Sequence, residues 1–259
     1  MKITTWNVNS LTARLQHVLD WLAANPVDVL CLQELKLTDD KFPLDAIRSA
    51  GYEHCAVFGQ KTYNGVAILS RAPLQDVIRN IVGFEDQHSR VLAASVASPV
   101  GELRVVNGYF VNGQAPGTDK FEYKMSWLRG LRDYVREQLS AHPRLVLLGD
   151  FNIAPEDRDS YDPDGLRETI HHTSQERDHF RKLLELGLAD SFRLFEQPPK
   201  SFSWWDYRML GYQKNRGLRI DHILVSDSLR PSVKACQIDR APRKWEKPSD
   251  HAPVTVEII

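Results

Sequence analysis

An aspartate and a histidine stand side by side near the C-terminal end of the chain, in the segment KPSDHAPV. Prolines on both sides of Asp250-His251 lock the local backbone φ angle, and the alternating residues TVEI that follow predict a strand. A carboxylate and an imidazole held at a strand end could perform acid–base chemistry or bind an anion near neutral pH. An ordinary surface loop could carry the same two residues, so the pair decides nothing by itself.

Acidic and amide residues also stand where other apolar runs end. Such loops are where a rigid fold presents its chemistry, although turns and helix caps use the same residue types. Asp221 is harder to explain in that way, because it lies in an apolar run and a buried carboxylate needs a partner. Carboxylates, amides and one histidine without a cysteine cluster suit Mg²⁺, with Mn²⁺ as a substitute, better than zinc. The other residues of this kind are Asn7, Glu34, Asp150 and Asn152.

Composition places the chain among soluble globular proteins, with 259 residues, 42% of them hydrophobic, and a net charge of −1. The first residues lack the apolar segment of a signal peptide, and no apolar run approaches the ~20 residues that span a bilayer. Three widely spaced cysteines fit a reducing compartment, so we expect a cytoplasmic protein of the bacterial type without membrane contact.

Charge is unevenly distributed along the chain. Residues 150–190 hold eleven acidic against five basic side chains, and residues 208–247 hold ten basic against four acidic ones. A polyanion on the second region could place a phosphate near the carboxylates of the first, as in an enzyme that acts on nucleic acid with a bound cation. Two solvated faces of opposite sign would give the same counts, so both interpretations stay open.

The elements that must position these residues follow from the apolar spacing. It predicts helices over 11–24, 42–50, 119–141 and 174–186, and a long surface loop over 153–173. Strands are predicted over 2–8, 27–32, 54–58, 65–70, 91–97, 102–110, 144–148, 218–225, 233–239 and 254–258. No linker is visible, so the pattern predicts one domain over 1–259, a layered α/β fold with two packed sheets and outer helices.

Seven segments, in order along the chain, resemble the exonuclease III family of abasic-site endonucleases and 3′-repair nucleases. They are WNVNSL, LQELK, YNGVAILSR, LLGDFNIAP, FSWWDYR, NRGLRIDHILVS and KPSDHAPV. The resemblance covers almost the whole chain and implies a four-layer α/β sandwich of two packed mixed sheets flanked by helices. It also implies a Mg²⁺-dependent phosphodiesterase that acts on double-stranded DNA with abasic sites, nicks or 3′-blocked ends. Since no heptad or repeat suggests assembly, we expect a monomer.

The resemblance assigns metal and water chemistry to five residues. Glu34 resembles the principal metal ligand, and Asp250 and Asn7 resemble supporting groups of the metal site, so that Asp250 is expected to turn towards the metal with Glu34. Asp150, with Asn152, resembles the pair that orients and deprotonates the attacking water.

Four further residues resemble groups that face the phosphate. His251 resembles the side chain that hydrogen-bonds the scissile phosphate, and Asp221 resembles the carboxylate that orients its ring. The two neighbours Asp250 and His251 are therefore expected to serve different partners. Tyr109 and Asn112 resemble a tyrosine near the leaving group and an amide near the phosphate.

The substrate pocket is assigned by the same resemblance. Trp204, Leu218 and Ile220 correspond to a small apolar pocket for a base-less sugar, which a nucleotide that keeps its base should not enter. His171 lies where the family more often has a small residue, so one hypothesis is a bias to 3′-end processing over internal abasic incision. The pair His171-His172 could equally be two exposed loop histidines. Basic candidates for the DNA backbone are Lys36, Arg71, Lys214, Arg216 and Arg219.

Two alternative functions remain. A phosphoesterase of the same fold could act on an inositol phosphate or on RNA, although the aromatic segment FSWWDYR followed by NRGLRID favours DNA. A non-catalytic DNA-binding relative would have lost at least one of the catalytic residues named above, and this sequence retains all of them.

Overall fold

Fourteen strands and four helices are present in a computed structural model that describes residues 1–259. In chain order the strands are β1 (Lys2–Asn7), β2 (Val29–Gln33), β3 (His54–Phe58), β4 (Val66–Ser70), β5 (Leu74–Arg79), β6 (Val91–Ser98), β7 (Gly101–Tyr109), β8 (Leu145–Asp150), β9 (Leu188–Asp190), β10 (Trp204–Trp205), β11 (Gly217–Leu218), β12 (Asp221–Ser226), β13 (Val233–Ile238) and β14 (Val254–Ile258). The helices are α1 (Leu11–Ala24), α2 (Leu44–Ser49), α3 (Asp119–Ala141) and α4 (Ser174–Leu184). No helix is both long and apolar enough to cross a membrane.

Three of the four helices, α1, α3 and α4, begin at a side chain that caps the first turn. Thr118 accepts a hydrogen bond from the backbone N–H of Phe121 at the start of α3, and Thr173 forms a reciprocal capping box with Glu176 at the start of α4. The predictions for α1 and α3 agree with the structure at both ends, while α2 and α4 are shorter than predicted by a few residues.

Two six-stranded mixed sheets pack face to face. Their strand orders are β13-β14-β1-β2-β4-β3 and β5-β6-β7-β8-β12-β9, and the short strands β10 and β11 form a separate ribbon. A buried apolar layer fills the space between the sheets, α1 and α2 cover the first sheet, and α3 and α4 cover the second. This confirms the predicted four-layer α/β sandwich.

One parallel pair at the centre of each sheet brings strand ends together at the same edge. β1 runs parallel to β2, and β7 runs parallel to β8, so the pairs Asn7–Gln33 and Tyr109–Asp150 end side by side. β12 runs antiparallel to β8 and begins at this edge, where Asp221 pairs with Asp150. The edge therefore collects residues from five segments that are far apart in sequence.

A buried polar contact links the two sheets just beneath that edge. Gln33 Nε2 donates to Asn107 Oδ1 at 2.7 Å, and Asn107 Nδ2 donates to the carbonyl oxygens of Leu32 and Ala67 at 3.0 and 2.9 Å. All of these groups are fully buried, and such a contact fixes one register between the sheets because a slip would leave it unpaired. Glu34 and Tyr109 follow directly on the two linked strands.

Several strand predictions need correction. The sequence pattern missed β5, β9, and the β10–β11 ribbon, and it ran one strand through 218–225. The chain instead leaves the ribbon at Leu218 and enters the second sheet only at Asp221, since Leu218 pairs with Trp204 and not with β8. Residues 153–173 are mostly irregular, as predicted, with one 3₁₀ turn at Asp157–Asp159.

Candidate active site

Three acidic and imidazole side chains meet where the two sheets share their edge. Glu34, Asp150 and His251 each offer a ligand atom, and these atoms lie within 4.8 Å of one another. Asn7 joins the two carboxylates, since its Nδ2 donates to Glu34 Oε1 at 3.0 Å and to Asp150 Oδ2 at 2.9 Å. Converging carboxylate oxygens are the donor set of a hard divalent cation, so this group fits the metal that the sequence predicted.

Asp250 lies outside this group. Its Oδ1 accepts from Asn9 Nδ2 at 3.0 Å, and its Oδ2 accepts from Trp204 Nε1 at 2.9 Å. Asn9 also accepts a 2.6 Å bond from Lys36, whose Nζ lies 3.0 Å from Glu34 Oε2. The structure therefore links Asp250 to Glu34 only through these two side chains, and it does not bring the two carboxylates together as expected.

His251 is paired with Asp221, as the resemblance implied, and not with its neighbour Asp250. Its Nδ1 donates to Asp221 Oδ2 at 2.9 Å, and its Nε2 lies 3.6 Å from Asp150 Oδ2. Burial works against a charged ring, but the carboxylates of Asp221 and Asp150 raise the pKa of His251 to about 10. The imidazolium form is thus held at neutral pH, with Nε2–H on the side of Asp150.

Asp150 is the buried carboxylate at the centre of the site. Burial raises its pKa to about 7, and the nearby charge of Asp221 adds to that shift, while His251 opposes it. Its Oδ1 accepts from the backbone N–H of Asn152 at 3.0 Å. A carboxylate with a pKa near neutrality is suited to accept a proton.

Tyr109 faces the same cluster as a protonated phenol. Its hydroxyl donates to Glu34 Oε1 at 2.9 Å. Burial, together with the charges of Glu34 and Asp150, raises the pKa of Tyr109 well above its usual range, so the hydroxyl keeps its proton and can donate it in a hydrogen bond. Arg90, which the sequence did not single out, lies 5.3 Å over the tyrosine ring and donates to the Tyr109 carbonyl at 3.3 Å.

Two amides close the other side of the site. Asn112 Nδ2 donates to Asn152 Oδ1 at 3.1 Å, and Asn152 Nδ2 donates to the carbonyl of Phe110 at 3.1 Å. Asn152 has a left-handed backbone with φ of 51°, which asparagine tolerates better than most residues. The segment after β8 therefore turns sharply, and the Asn152 side chain lies between the loops that follow β7 and β8.

A cavity of about 580 Å³ opens beside these amides. Trp204 and Leu218 line it, while Ile220, which was assigned to the same pocket, is buried in one apolar cluster with Leu218 and does not line the cavity. The lining also includes Asn112, Arg216, His171, Tyr161 and Leu166.

The two loop histidines are not exposed. This excludes the interpretation of His171-His172 as two exposed loop side chains. His172 is 3% exposed and its Nε2 hydrogen-bonds Ser160 Oγ at 3.0 Å. His171 is half-buried in the cavity wall, and its Nδ1–H donates to the Asn152 carbonyl at 2.7 Å. Burial, together with the nearby cation of Lys124, lowers the pKa of His171 to about 3 and keeps the ring neutral.

Two of the basic candidates lie in the wrong place for DNA. Arg219 is fully buried, with 2.7 Å hydrogen bonds to Asp159 and Asp190, because it leaves the ribbon beneath the pocket. Arg71 lies at the opposite end of the first sheet, where its Nε donates to the Val27 carbonyl at 3.0 Å. The three others stay near the site or exposed beside it, namely Lys36, Lys214 and Arg216.

Comparison with known proteins finds relatives that cover the whole chain. The family model described as Endonuclease/Exonuclease/phosphatase family matches residues 4–251. Exodeoxyribonuclease III of Haemophilus influenzae is 35% identical, over 99% of each chain. The structure of the 3′ phosphatase NExo from Neisseria, bound to a product DNA hairpin, is 50% identical with a TM-score of 0.96, over 100% of this chain and 99% of that one. An AP endonuclease from Archaeoglobus fulgidus is 34% identical with a TM-score of 0.94, over 100% and 99%.

Proposed function

The chain belongs to the endonuclease/exonuclease/phosphatase family, and from this premise we propose that it is a DNA-repair nuclease of the exonuclease III type. It hydrolyses phosphoester bonds at abasic sites and at DNA 3′ ends. The observation that carries the proposal is the convergence of Glu34, Asp150 and His251 within 4.8 Å at one edge of the sandwich. A non-catalytic relative would have no use for a buried carboxylate and a buried imidazolium held side by side.

We assign the metal site to Glu34, with Asn7 fixing its carboxylate and Asp250 acting from behind through Asn9 and Lys36. Oxygen donors of this kind favour Mg²⁺, with Mn²⁺ as a substitute. When bound, such an ion neutralises phosphate charge and favours the ionised form of a nearby water. Lys36, 3.0 Å from Glu34 Oε2, adds a second positive charge to the same carboxylate.

Each remaining side chain has one task in the hydrolysis. Asp150 accepts the proton of the attacking water, which Asn152 orients through its amide. His251 donates a hydrogen bond from Nε2 to a phosphate oxygen, while Asp221 holds its Nδ1 side. Tyr109 donates from its hydroxyl close to the leaving oxygen. Hydrogen-bond donors that are fixed before the reaction stabilise developing charge without reorganising.

The cavity lined by Trp204 and Leu218 receives the deoxyribose at the cleaved position. Its walls leave His171 beside Asn112, so the imidazole occupies space next to the group that faces the phosphate. A terminal nucleotide can approach from the open side, whereas an internal abasic nucleotide must turn out of the duplex and fit between two DNA strands. We therefore propose a bias towards 3′-end processing. The 3′ phosphatase from Neisseria, 50% identical over the whole chain, supports this choice.

Four labelled duplexes test the function. They carry an internal abasic site, a 3′-phosphate, a nick or a blunt end, and soluble inositol phosphate serves as a competing substrate. We expect metal-dependent release at 3′ ends, weaker incision at the internal abasic site, and no release from inositol phosphate. Preferential release from inositol phosphate, or no turnover of any duplex, contradicts the proposed function.

Substitution of His171 tests the bias separately. Its backbone φ of 70° suits glycine and asparagine, so His171→Gly and His171→Asn can keep the local backbone without added strain. Abasic incision relative to 3′-phosphate release should rise in the order histidine, asparagine, glycine. An unchanged ratio in both variants contradicts the bias and leaves the nuclease assignment intact.

A further inference from the structure

A lysine and a glutamate form an ion pair that is completely buried beneath the active site. Lys124 on α3 and Glu176 on α4 both have fully buried side chains, and Lys124 Nζ contacts Glu176 Oε1. The ammonium group also donates to the carbonyl oxygens of Asn112 and Asn152, at 3.1 and 2.8 Å. Its three hydrogens therefore reach three different segments of the chain, two of which carry amides of the site.

The carboxylate of Glu176 extends the same contact to the cavity wall. Its Oε1 accepts from the backbone N–H of His171 at 3.1 Å. Its Oε2 accepts from the backbone N–H and the hydroxyl of Thr173 at 3.1 and 2.8 Å. His171 in turn donates to the Asn152 carbonyl, which already accepts from Lys124. Every polar atom of the two side chains thus has a hydrogen-bond partner, and each partner lies on a segment that borders the site.

Stability alone does not account for this pair. Taking both charges out of water costs about as much as their attraction returns, and an apolar pair of similar volume often serves stability equally well. The pair does hold two unusual backbones, since Asn152 and His171 have φ of 51° and 70°. A non-glycine residue in that region costs on the order of 1–3 kcal/mol and persists only where its surroundings fix it.

We propose that Lys124 and Glu176 are positioning residues, which set the Asn112 and Asn152 amides and the His171 wall in one fixed arrangement. The inference rests on the proposed function and adds two residues that contact neither substrate nor metal. Lys124 sets the two loops that follow β7 and β8, and Glu176 ties the cavity wall to them. Displacement of a reacting group by about 1 Å can cost ~100-fold in rate.

The double variant Lys124→Met/Glu176→Leu tests the inference. It replaces the pair by apolar side chains of similar volume, so the variant should still fold, although the carbonyl and N–H groups that lose their partners lower its melting temperature. Release of 3′-phosphate should nevertheless fall at least ~10-fold in kcat, with KM changed by less than ~3-fold, because loop placement is lost while the DNA surface is kept. Wild-type kcat in the folded double variant overturns the inference.

Arg104→Met provides a matched control. Arg104 is 1% exposed, and it hydrogen-bonds Gln138 at 2.7 Å and the Asp76 carbonyl at 2.8 Å. It lies five residues before Tyr109 on β7, roughly 16 Å from the site. Loss of this buried cation should lower the melting temperature and leave kcat unchanged. An equal fall in kcat here would mean that any buried charge matters, which also overturns the inference.

Glu176→Gln keeps the shape of the pair and serves if the double variant does not fold. A several-fold fall in kcat of the folded variant supports the inference, and wild-type kcat contradicts it. Wild-type protein measured alongside distinguishes a failure of the proposed function from a failure of the positioning role. If the wild type fails to release 3′-phosphate, the proposed function is wrong, whereas equal activity of wild type and variants refutes only the positioning role.

Discussion

Asp150→Asn separates the catalytic from the structural role of the buried carboxylate. The amide keeps the shape of the side chain but can neither carry the charge nor accept a proton from water. Loss of a general base typically costs 10²–10⁴-fold in rate, so turnover of the 3′-phosphate duplex should fall by at least about two orders of magnitude. DNA affinity should be kept or increase, because a negative charge beside the phosphate is removed.

Turnover should fall in Asp150→Asn, but the stability of the variant should rise at neutral and higher pH. Burial raises the pKa of Asp150 to about 7, whereas in the unfolded chain it is about 4. The unfolded chain therefore releases this proton first, and wild-type stability is lost as the pH rises from about 4 to about 7, by up to roughly 4 kcal/mol.

The amide of the variant avoids that loss but introduces another. Asp150 accepts from Asn152 N–H at 3.0 Å and from Asn7 Nδ2 at 2.9 Å. An asparagine can present its oxygen to only one of these donors, which costs about 1–3 kcal/mol. The net gain at about pH 8 is roughly 2 kcal/mol, or about 5 °C in melting temperature.

Urea unfolding of both proteins in EDTA, at about pH 8 and about pH 4.5, measures the effect without interference from metal. The variant should be the more stable protein at the higher pH, and this advantage should disappear at the lower one. Fluorescence anisotropy with a 3′-phosphate duplex measures binding. A variant that loses stability equally at both pH values and also loses DNA binding would refute the reasoning and assign Asp150 a structural role.

Three further predictions concern metal, DNA and pH. Excess EDTA should abolish turnover and added Mg²⁺ should restore it, since Glu34 is placed to hold a cation; activity that survives EDTA contradicts the metal site. DNA affinity should fall steeply with salt, and Arg216→Met should reduce the slope of log affinity against log salt by about one. Arg219→Met should instead lower the melting temperature at an unchanged slope, because that side chain is buried. Burial lowers the pKa of His222 to about 4, below about 6.5 in the unfolded chain, so wild-type stability should fall by up to roughly 3 kcal/mol as the pH drops between these values. In urea unfolding, His222→Gln should lose less stability than the wild type over this pH range. An identical pH dependence of the two proteins would contradict the assignment to His222.

Long elements were predictable because their signal is local. α3 carries apolar side chains at helical spacing over 23 residues and begins at the cap Thr118, so both ends follow from the sequence. The strand β9 has three residues and β10 only two, which is too short for any periodicity to appear. The break between Leu218 and Asp221 was also invisible, because an apolar run looks the same whether it stays in one sheet or passes from a ribbon into another.

Placement of charged side chains was predictable only in part. Lys124 adjoins Met125 on an amphipathic helix, and Arg219 lies between two apolar residues. The sequence alone therefore does not decide whether either side chain is exposed or buried. The structure buries both, each against carboxylates from other segments, Glu176 in one case and Asp159 and Asp190 in the other. Such partners lie tens of residues away in sequence, and only the packed sheets bring them together.

The sequence by itself determined the chemistry of the site, namely carboxylates, amides and one histidine at strand ends, and it determined the family to which they belong. The resemblance also implied the pair of His251 and Asp221, but only the tertiary structure decided where Asp250 lies. Asp250 and His251 are neighbours in the chain, but Asp250 lies at a bend, and the two side chains diverge there. His251 therefore reaches Asp221 on β12, while Asp250 reaches Asn9 and Trp204. The sequence shows that the two residues are neighbours, and the packing of distant strands determines which partner each side chain contacts.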